Sequence, residues 1–151
     1  MAMNSICSVE ISWEYLAGLV DADGCVYVGK RNSSLRCINP RYFVALNVAN
    51  TDSKLLDDLK NQFGGFISKD GRSNCARWII QGESARTILT ELCSILRVKY
   101  VQALIALQML DSMGDKHKTS KHTTPDDILT TRESLYQENK ALNSGSYGKK
   151  K

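Results

Sequence analysis

The chain has 151 residues, 42% of them hydrophobic and 24% charged, which suits one compact domain and leaves little room for two. Twenty Lys and Arg against sixteen Asp and Glu leave a net charge of +4, just under the level at which charge alone marks a domain as nucleic-acid-binding. Five cysteines, odd in number and without a C-x-x-C pair, exclude a disulfide framework and a four-cysteine zinc site, point to a reducing compartment, and accompany apolar runs too short to span a bilayer and an N-terminus without a signal-peptide pattern.

Charge is unevenly spread: residues 1–23 carry four acids and no bases, whereas residues 24–81 carry nine bases and four acids. Carboxylates thus precede a stretch that attracts phosphate. Taken in chain order, residues 1–11 are a lead-in. Ser12 caps a short helix whose apolar positions Trp13, Leu16, Leu19 and Val20 repeat at helical spacing and which ends at Asp21-Ala22-Asp23-Gly24. The period then switches to two: Val26 and Val28, then Tyr42, Val44, Leu46 and Val48, form a long hairpin joined by the polar stretch Arg31 to Pro40. Asp52 caps a second helix, with Leu55, Leu56, Leu59 and Phe63 on one face and Gly64-Gly65 at its end.

A second hairpin runs from Phe66 to Lys69 and from Ala76 to Gln81 across Asp70-Gly71, with Ile67, Trp78 and Ile80 inward. Residues 84–96 and 99–113 are helical by period, and Thr124-Pro125-Asp126-Asp127 opens a last helix to about Leu142. The loop Gly114 to Thr123 holds three lysines and both histidines; residues 144–151 read as a disordered basic tail. The expected domain is therefore residues 1–143, of α+β class: a four-stranded antiparallel sheet with helices on one face and the other face open.

Strict alternation turns Tyr27, Gly29, Arg31, Arg41, Phe43, Ala45, Asn47, Ser68, Asp70, Arg72, Arg77, Ile79 and Gln81 toward the open face. Arginines, amides and apolar groups in such a set suit the DNA major groove, where Arg pairs with guanine, Asn or Gln with adenine, and apolar groups meet the thymine methyl. An ordinary solvated sheet face shows the same polar-out alternation, so the pattern alone leaves both readings open.

Asp21 and Asp23 stand at the negative end of a helix macrodipole, where each carboxylate costs roughly 0.3–1 kcal/mol relative to a neutral residue. A divalent cation, held by carboxylate and by free helix-end carbonyls, would offset that cost. An exposed turn is the alternative on these four residues alone. An EF-hand is excluded, because Gly24 comes too early in the acidic run.

The longer string Tyr15-Leu16-Ala17-Gly18-Leu19-Val20-Asp21-Ala22-Asp23-Gly24 resembles the signature of the LAGLIDADG homing endonucleases. The resemblance extends to the αββαββα order and to the single-motif, homodimeric branch. It implies a saddle whose open sheet straddles DNA, with Leu16, Ala17, Gly18 and Asp21 at a dimer interface where two copies of the helix approach closely. It further implies Asp23 as the metal-binding catalytic carboxylate, the Ala22 carbonyl as a further ligand, and Asp21 as structural. Asn50 stands where relatives usually carry a Gln that positions water; Lys54 and Lys99 match basic residues that steady the phosphate or polarise the water network.

The activity so implied is hydrolysis of both strands of a long, roughly palindromic DNA site with Mg2+ or Mn2+, with Ca2+ binding but not supporting cleavage, in the service of intron mobility. Lys116, Lys118 and Lys121 would join the outward residues on DNA phosphates. His117 and His122, five residues apart without partnering cysteines, make a poor zinc pair. The competing readings on the same scaffold are an intron RNA maturase and a DNA-binding protein without cleavage. Location is expected in an organelle or a prokaryotic cytoplasm.

Overall fold

The computed structural model describes residues 10–32, 39–69, 71, 73–113 and 125–145. The first helix, α1 (Trp13–Asp23), starts where Ser12 Oγ accepts the Tyr15 N–H at 3.1 Å and leads directly into β1 (Gly24–Arg31). β2 (Arg41–Asn50) returns antiparallel, and α2 (Ser53–Phe63) follows, capped by Asp52, whose carboxylate accepts the Leu55 N–H at 3.1 Å. β3 (Phe66–Lys69), β4 (Ala76–Gln81), α3 (Glu83–Cys93), α4 (Tyr100–Ser112) and α5 (Asp126–Gly145) complete the order. Among the described residues no helix is long and apolar enough to cross a membrane.

The four strands lie in the order β1-β2-β4-β3, every pair antiparallel. β1 pairs along its full length with β2, from Gly24 opposite Val48 to Arg31 opposite Arg41, and the second half of β2 also pairs with β4, from Ala45 opposite Gln81 to Asn50 opposite Ala76. Period-two alternation turns Val26, Val28, Val44, Leu46, Val48, Trp78 and Ile80 inward, where they are buried with Leu16 and Val20 of α1, Leu56 and Leu59 of α2, Leu89 and Leu92 of α3 and Met109 of α4. The helices cover this face, as the α+β reading requires.

The long helix α5 closes the outer edge of the sheet. β1 is an edge strand, and its unpaired backbone groups would be open to water or to another strand. The amide of Asn139, itself buried, accepts the Val28 N–H at 2.9 Å and donates to the Val26 carbonyl at 3.2 Å, while Asn143 donates to the same carbonyl at 3.1 Å. Nearly two turns before Asn139, Glu133 takes an ion pair from Lys30 at 2.7 Å and a short hydrogen bond from the Tyr42 hydroxyl. The Lys30 ammonium, the Tyr42 hydroxyl and Gln137 together pull the Glu133 carboxyl down to about 2, and burial next to Glu133 pushes the Tyr42 hydroxyl well above its ordinary range. Arg132, buried beside them, donates to the Ser112 carbonyl at 2.6 Å and ties α5 to α4.

Two expectations change. The last helix continues to Gly145, past Leu142, because Asn143 is fixed on β1 and Ser144 Oγ bonds the Lys140 carbonyl at 2.7 Å; residues 144 and 145 therefore belong to the helix. Leu16 and Ala17, expected at a dimer interface, are buried in the chain's own core at 0% and 3% exposure, since they lie on the side of α1 that meets the sheet. Asp70, Arg72, Lys116, Lys118, Lys121, both histidines and the tail from 146 on lie outside the described residues.

Candidate nucleic-acid interface and the acidic end of α1

The register arranges the outward side chains in rows across the sheet. Nearest the end of α1 is Ala49 with Arg77 and Ser68; next come Cys25, Asn47, Ile79 and Phe66; then Tyr27, Ala45 and Gln81; then Gly29 and Phe43; and outermost Arg31 and Arg41. Every described member of the outward set read from alternation is on this face. Cys25, Ala49 and Phe66 join it beyond the set read from the sequence, although the same alternation carried one step back from Tyr27 and from Ser68 and one step on from Asn47 finds all three. Arg31, Arg41, Ser68, Arg77 and Gln81 are exposed, and Asn47 is half-buried between Cys25 and Ile79. Ala45 is fully buried despite facing outward, so its neighbours' side chains close over it.

The aromatic part of the face is tightly assembled. A Cβ on Gly29 would lie 2.0 Å from Phe43 Cζ, so the ring of Phe43 rests on the backbone of β1 where only glycine leaves it room. Tyr27 meets that ring edge-on at 6.0 Å, and the Arg31 guanidinium carbon sits 5.3 Å from its centroid.

At the end of α1 the two aspartates have opposite fates. Asp21 accepts three backbone N–H groups from the turn before α4: Arg97 at 2.9 Å, Val98 at 3.2 Å and Lys99 at 3.0 Å. The side chain of Lys99 reaches back, donating to the carbonyls of Val20 at 2.9 Å and Asp21 at 3.2 Å and, by a short bond, to that of Gly24. Its three hydrogens are thereby matched to three acceptors. The cation neutralises the negative helix end that two carboxylates would otherwise aggravate. Gly24 permits the join between helix and sheet, because a Cβ there would lie 2.7 Å from Val20 Cα and 2.9 Å from the Asn47 carbonyl.

Asp23 is exposed and has no hydrogen bond or ion pair among the described residues. The register puts Gly24 opposite Val48, so Asp23 stands beside the last residues of β2, Ala49 and Asn50. Asn50 Oδ1 accepts the Asp52 N–H at 2.8 Å and shapes the entry to α2, leaving its amide NH2 unbonded by the described residues. Lys54 is paired with Asp58 one turn along α2 at 2.9 Å, which raises its pKa. Thus Asp23, Asn50 and Lys99 converge at one end of the sheet, with Lys99 occupied as a helix cap, while Lys54 is engaged on α2. Cys25 lies at the same end: burial raises its thiol pKa, and the Lys99 and Arg77 charges act against that shift.

The donor set suits a hard cation. Among the described residues the Asp23 carboxylate and the Ala22 carbonyl are oxygen ligands with no other claim on them, whereas the carbonyls of Val20 and Asp21 are taken by Lys99. Among the described residues no three His, Cys, Asp or Glu side chains converge on a metal position. The chain so supplies a single carboxylate, which fits Mg2+, an ion that keeps several waters and is commonly held by one or two carboxylates together with substrate phosphates.

A family model described as LAGLIDADG endonuclease matches residues 16–103. Among solved structures, the homing endonuclease I-CvuI in complex with its target in the presence of calcium superposes with a TM-score of 0.75 at 24% identity, over 92% of this chain and 84% of that one. A second structure of I-CvuI, with DNA and magnesium, matches equally well. The archaeal intron-encoded homing endonuclease I-Vdi141I complexed with DNA gives 0.73 at 17% identity over 92% and 88%. I-SmaMI bound to cleaved DNA gives 0.70 at 21% over 83% of this chain and 42% of that longer one. At these identities the likeness is one of fold. No curated protein matches the chain.

Proposed function

This chain belongs to the LAGLIDADG endonuclease family, and from that premise we propose that it is a site-specific homing endonuclease. It binds a long, pseudo-palindromic double-stranded DNA site as a homodimer and hydrolyses both strands with divalent ions, promoting mobility of a host intron. The observation that carries the reading is the unpartnered Asp23 carboxylate at a helix end that is otherwise fully braced, next to the innermost row of an outward sheet face rich in base-reading side chains.

In this reading Asp23 and the Ala22 carbonyl hold the ion. When bound, a divalent ion supplies Lewis acidity to the scissile phosphate and lowers the pKa of the attacking water. The Asp21–Lys99 brace fixes the backbone on which Asp23 sits, and the amide of Asn50 is placed to orient water at the same end. The outward rows set the register of the duplex, with Arg77 nearest the cut and Arg41 at the outer end.

The dimer is supported by the side of α1 that the core does not use. Tyr15, 55% exposed, Gly18 and Ala22 form an outward line, and Val98, Tyr100 and Leu104 add exposed apolar surface from the segment that Asp21 holds. A Cβ on Gly18 would meet nothing within 4 Å, so the protomer itself has no need of that glycine, which costs about 1 kcal/mol relative to Ala inside a helix. Gly18→Ala is therefore expected to stabilise the isolated protomer while weakening self-association in sedimentation. A stronger dimer from this variant would count against close approach of two α1 helices.

The direct test is incubation with a plasmid carrying the intron's insertion site and Mg2+. Cleavage is expected, and Asp23→Asn should lose it by at least about a thousandfold, several kcal/mol of transition-state stabilisation, while still binding DNA. Undiminished cleavage by Asp23→Asn would overturn the assignment.

A further inference from the structure

We infer that Phe43, held between Tyr27, Gly29 and Arg31, forms with Arg31 a preassembled reader of a thymine followed, one or two steps outward, by a guanine in the outer part of each half-site. This inference rests on the proposal that the open sheet face lies in the major groove.

Three features point to it. The Phe43 ring crosses from β2 to lie on Gly29, with Cζ, Cε1 and Cε2 at 2.0, 2.3 and 2.6 Å from where a Cβ would stand, so its position is set by the backbone beneath it and not by solvent. Tyr27 supports it edge-on from the row nearer the cut, and Arg31 lies against it from the row beyond, 5.3 Å from the ring centroid. A guanidinium held against an aromatic ring has already lost much of the freedom it would lose on binding, and it keeps its donors available at the plane's edge. Finally, Arg31 stands directly opposite Arg41 on the ladder. Two guanidinium groups side by side at the outer end of the face suit a polyanion.

The chemistry selects the bases. An apolar group in the major groove is complementary to the C5 methyl of thymine, and an arginine fork to O6 and N7 of guanine. Position follows from the register: Gly29 is five residues, and Arg31 seven, beyond Gly24 at the end of α1. At about 3.4 Å per strand residue and about 3.4 Å per base step, the thymine lies about five and the guanine about six to seven base pairs from the phosphate nearest Asp23.

The test is selection of bound sites from random-sequence duplexes by the full chain, followed by affinity measurements on the best site with deoxyuridine in place of the outer thymine. Selected sites should carry the thymine and guanine at those distances in both halves. Removing the one methyl with uridine should weaken binding about fourfold, the worth of one buried methyl group, in a protein that has not been altered. Phe43→Ala should abolish the difference between thymine and uridine and leave preferences at the Asn47 and Arg77 rows intact. Arg31→Ala should flatten the guanine preference by about tenfold or more.

Selected sites with strong preferences near the centre but none at the outer positions, or equal affinity for thymine and uridine, would overturn the reader while the groove-facing sheet stands. Duplex binding with no base preference at any row would overturn both.

Discussion

At the C-terminal end of α1 and along the outer edge of β1, backbone groups that regular secondary structure cannot pair are met by side chains from far along the chain. Asp21 and Lys99, 78 residues apart, together satisfy three N–H groups and three carbonyls at the first place. Asn139, 111 residues from Val28, and Asn143 satisfy one N–H and one carbonyl at the second. The regions differ in what is left over. At the β1 edge Glu133, Lys30 and Tyr42 are all engaged with one another. At the end of α1 the bracing stops short of Asp23, so the free carboxylate stands on a rigid base. Fixed position with unused lone pairs is what the proposed role of Asp23 requires.

The largest effect that would sharpen this contrast is on Asp21. Asp21→Ala strands three N–H groups and should cost about 2–3 kcal/mol in denaturant unfolding, whereas Asp23→Asn should leave the midpoint essentially unchanged. Equal losses would erase the distinction drawn between the two aspartates. Lys99→Met removes the cation from the helix end and should cost about 2 kcal/mol. If the lysine instead acts mainly on the phosphate, the variant will keep its stability and lose only cleavage.

At the β1 edge, Asn139→Ala should cost about 1–2 kcal/mol and speed hydrogen exchange at the Val28 amide, with the β2–β4 amides unaffected; uniform acceleration across the sheet would show that α5 does not act as a local edge cover. The smallest effect concerns pH. The Glu133 carboxyl is depressed to about 2 from an ordinary 4.5. Its contribution is therefore fully present above pH 4.5 and is lost as the pH falls from there through about 2. Because the side chain is 36% exposed, solvent screens the effect and only a modest loosening of α5 is expected. Glu133→Gln should flatten that portion of the pH–stability profile.

Much of this was legible in the residues. Ser12 and Asp52 announce their caps, alternation from Val26 to Val48 and from Ala76 to Gln81 sorts the two faces, and nine consecutive residues, Leu16 to Gly24, carry the resemblance to the family. Lys99 was legible only as a basic residue near the site, and its cap on α1 was not, because nothing near it in the chain marks a partner 78 residues away. The burial of Leu16 and Ala17 was a question of which side of α1 the sheet takes. The role of Asn139 had no signal, since an asparagine on a polar helix is ordinary until an edge strand lies beside it.

Sequence by itself determined the elements, the two faces of the sheet and the presence of paired acids at a helix end, because periodicity and capping depend on neighbours within a few positions. Tertiary structure alone decided which backbone groups Asp21 binds, where the lysine spends its hydrogens, and that the Phe43 ring lies on Gly29. Those outcomes depend on distances between segments remote in the chain, and only the closed fold sets them.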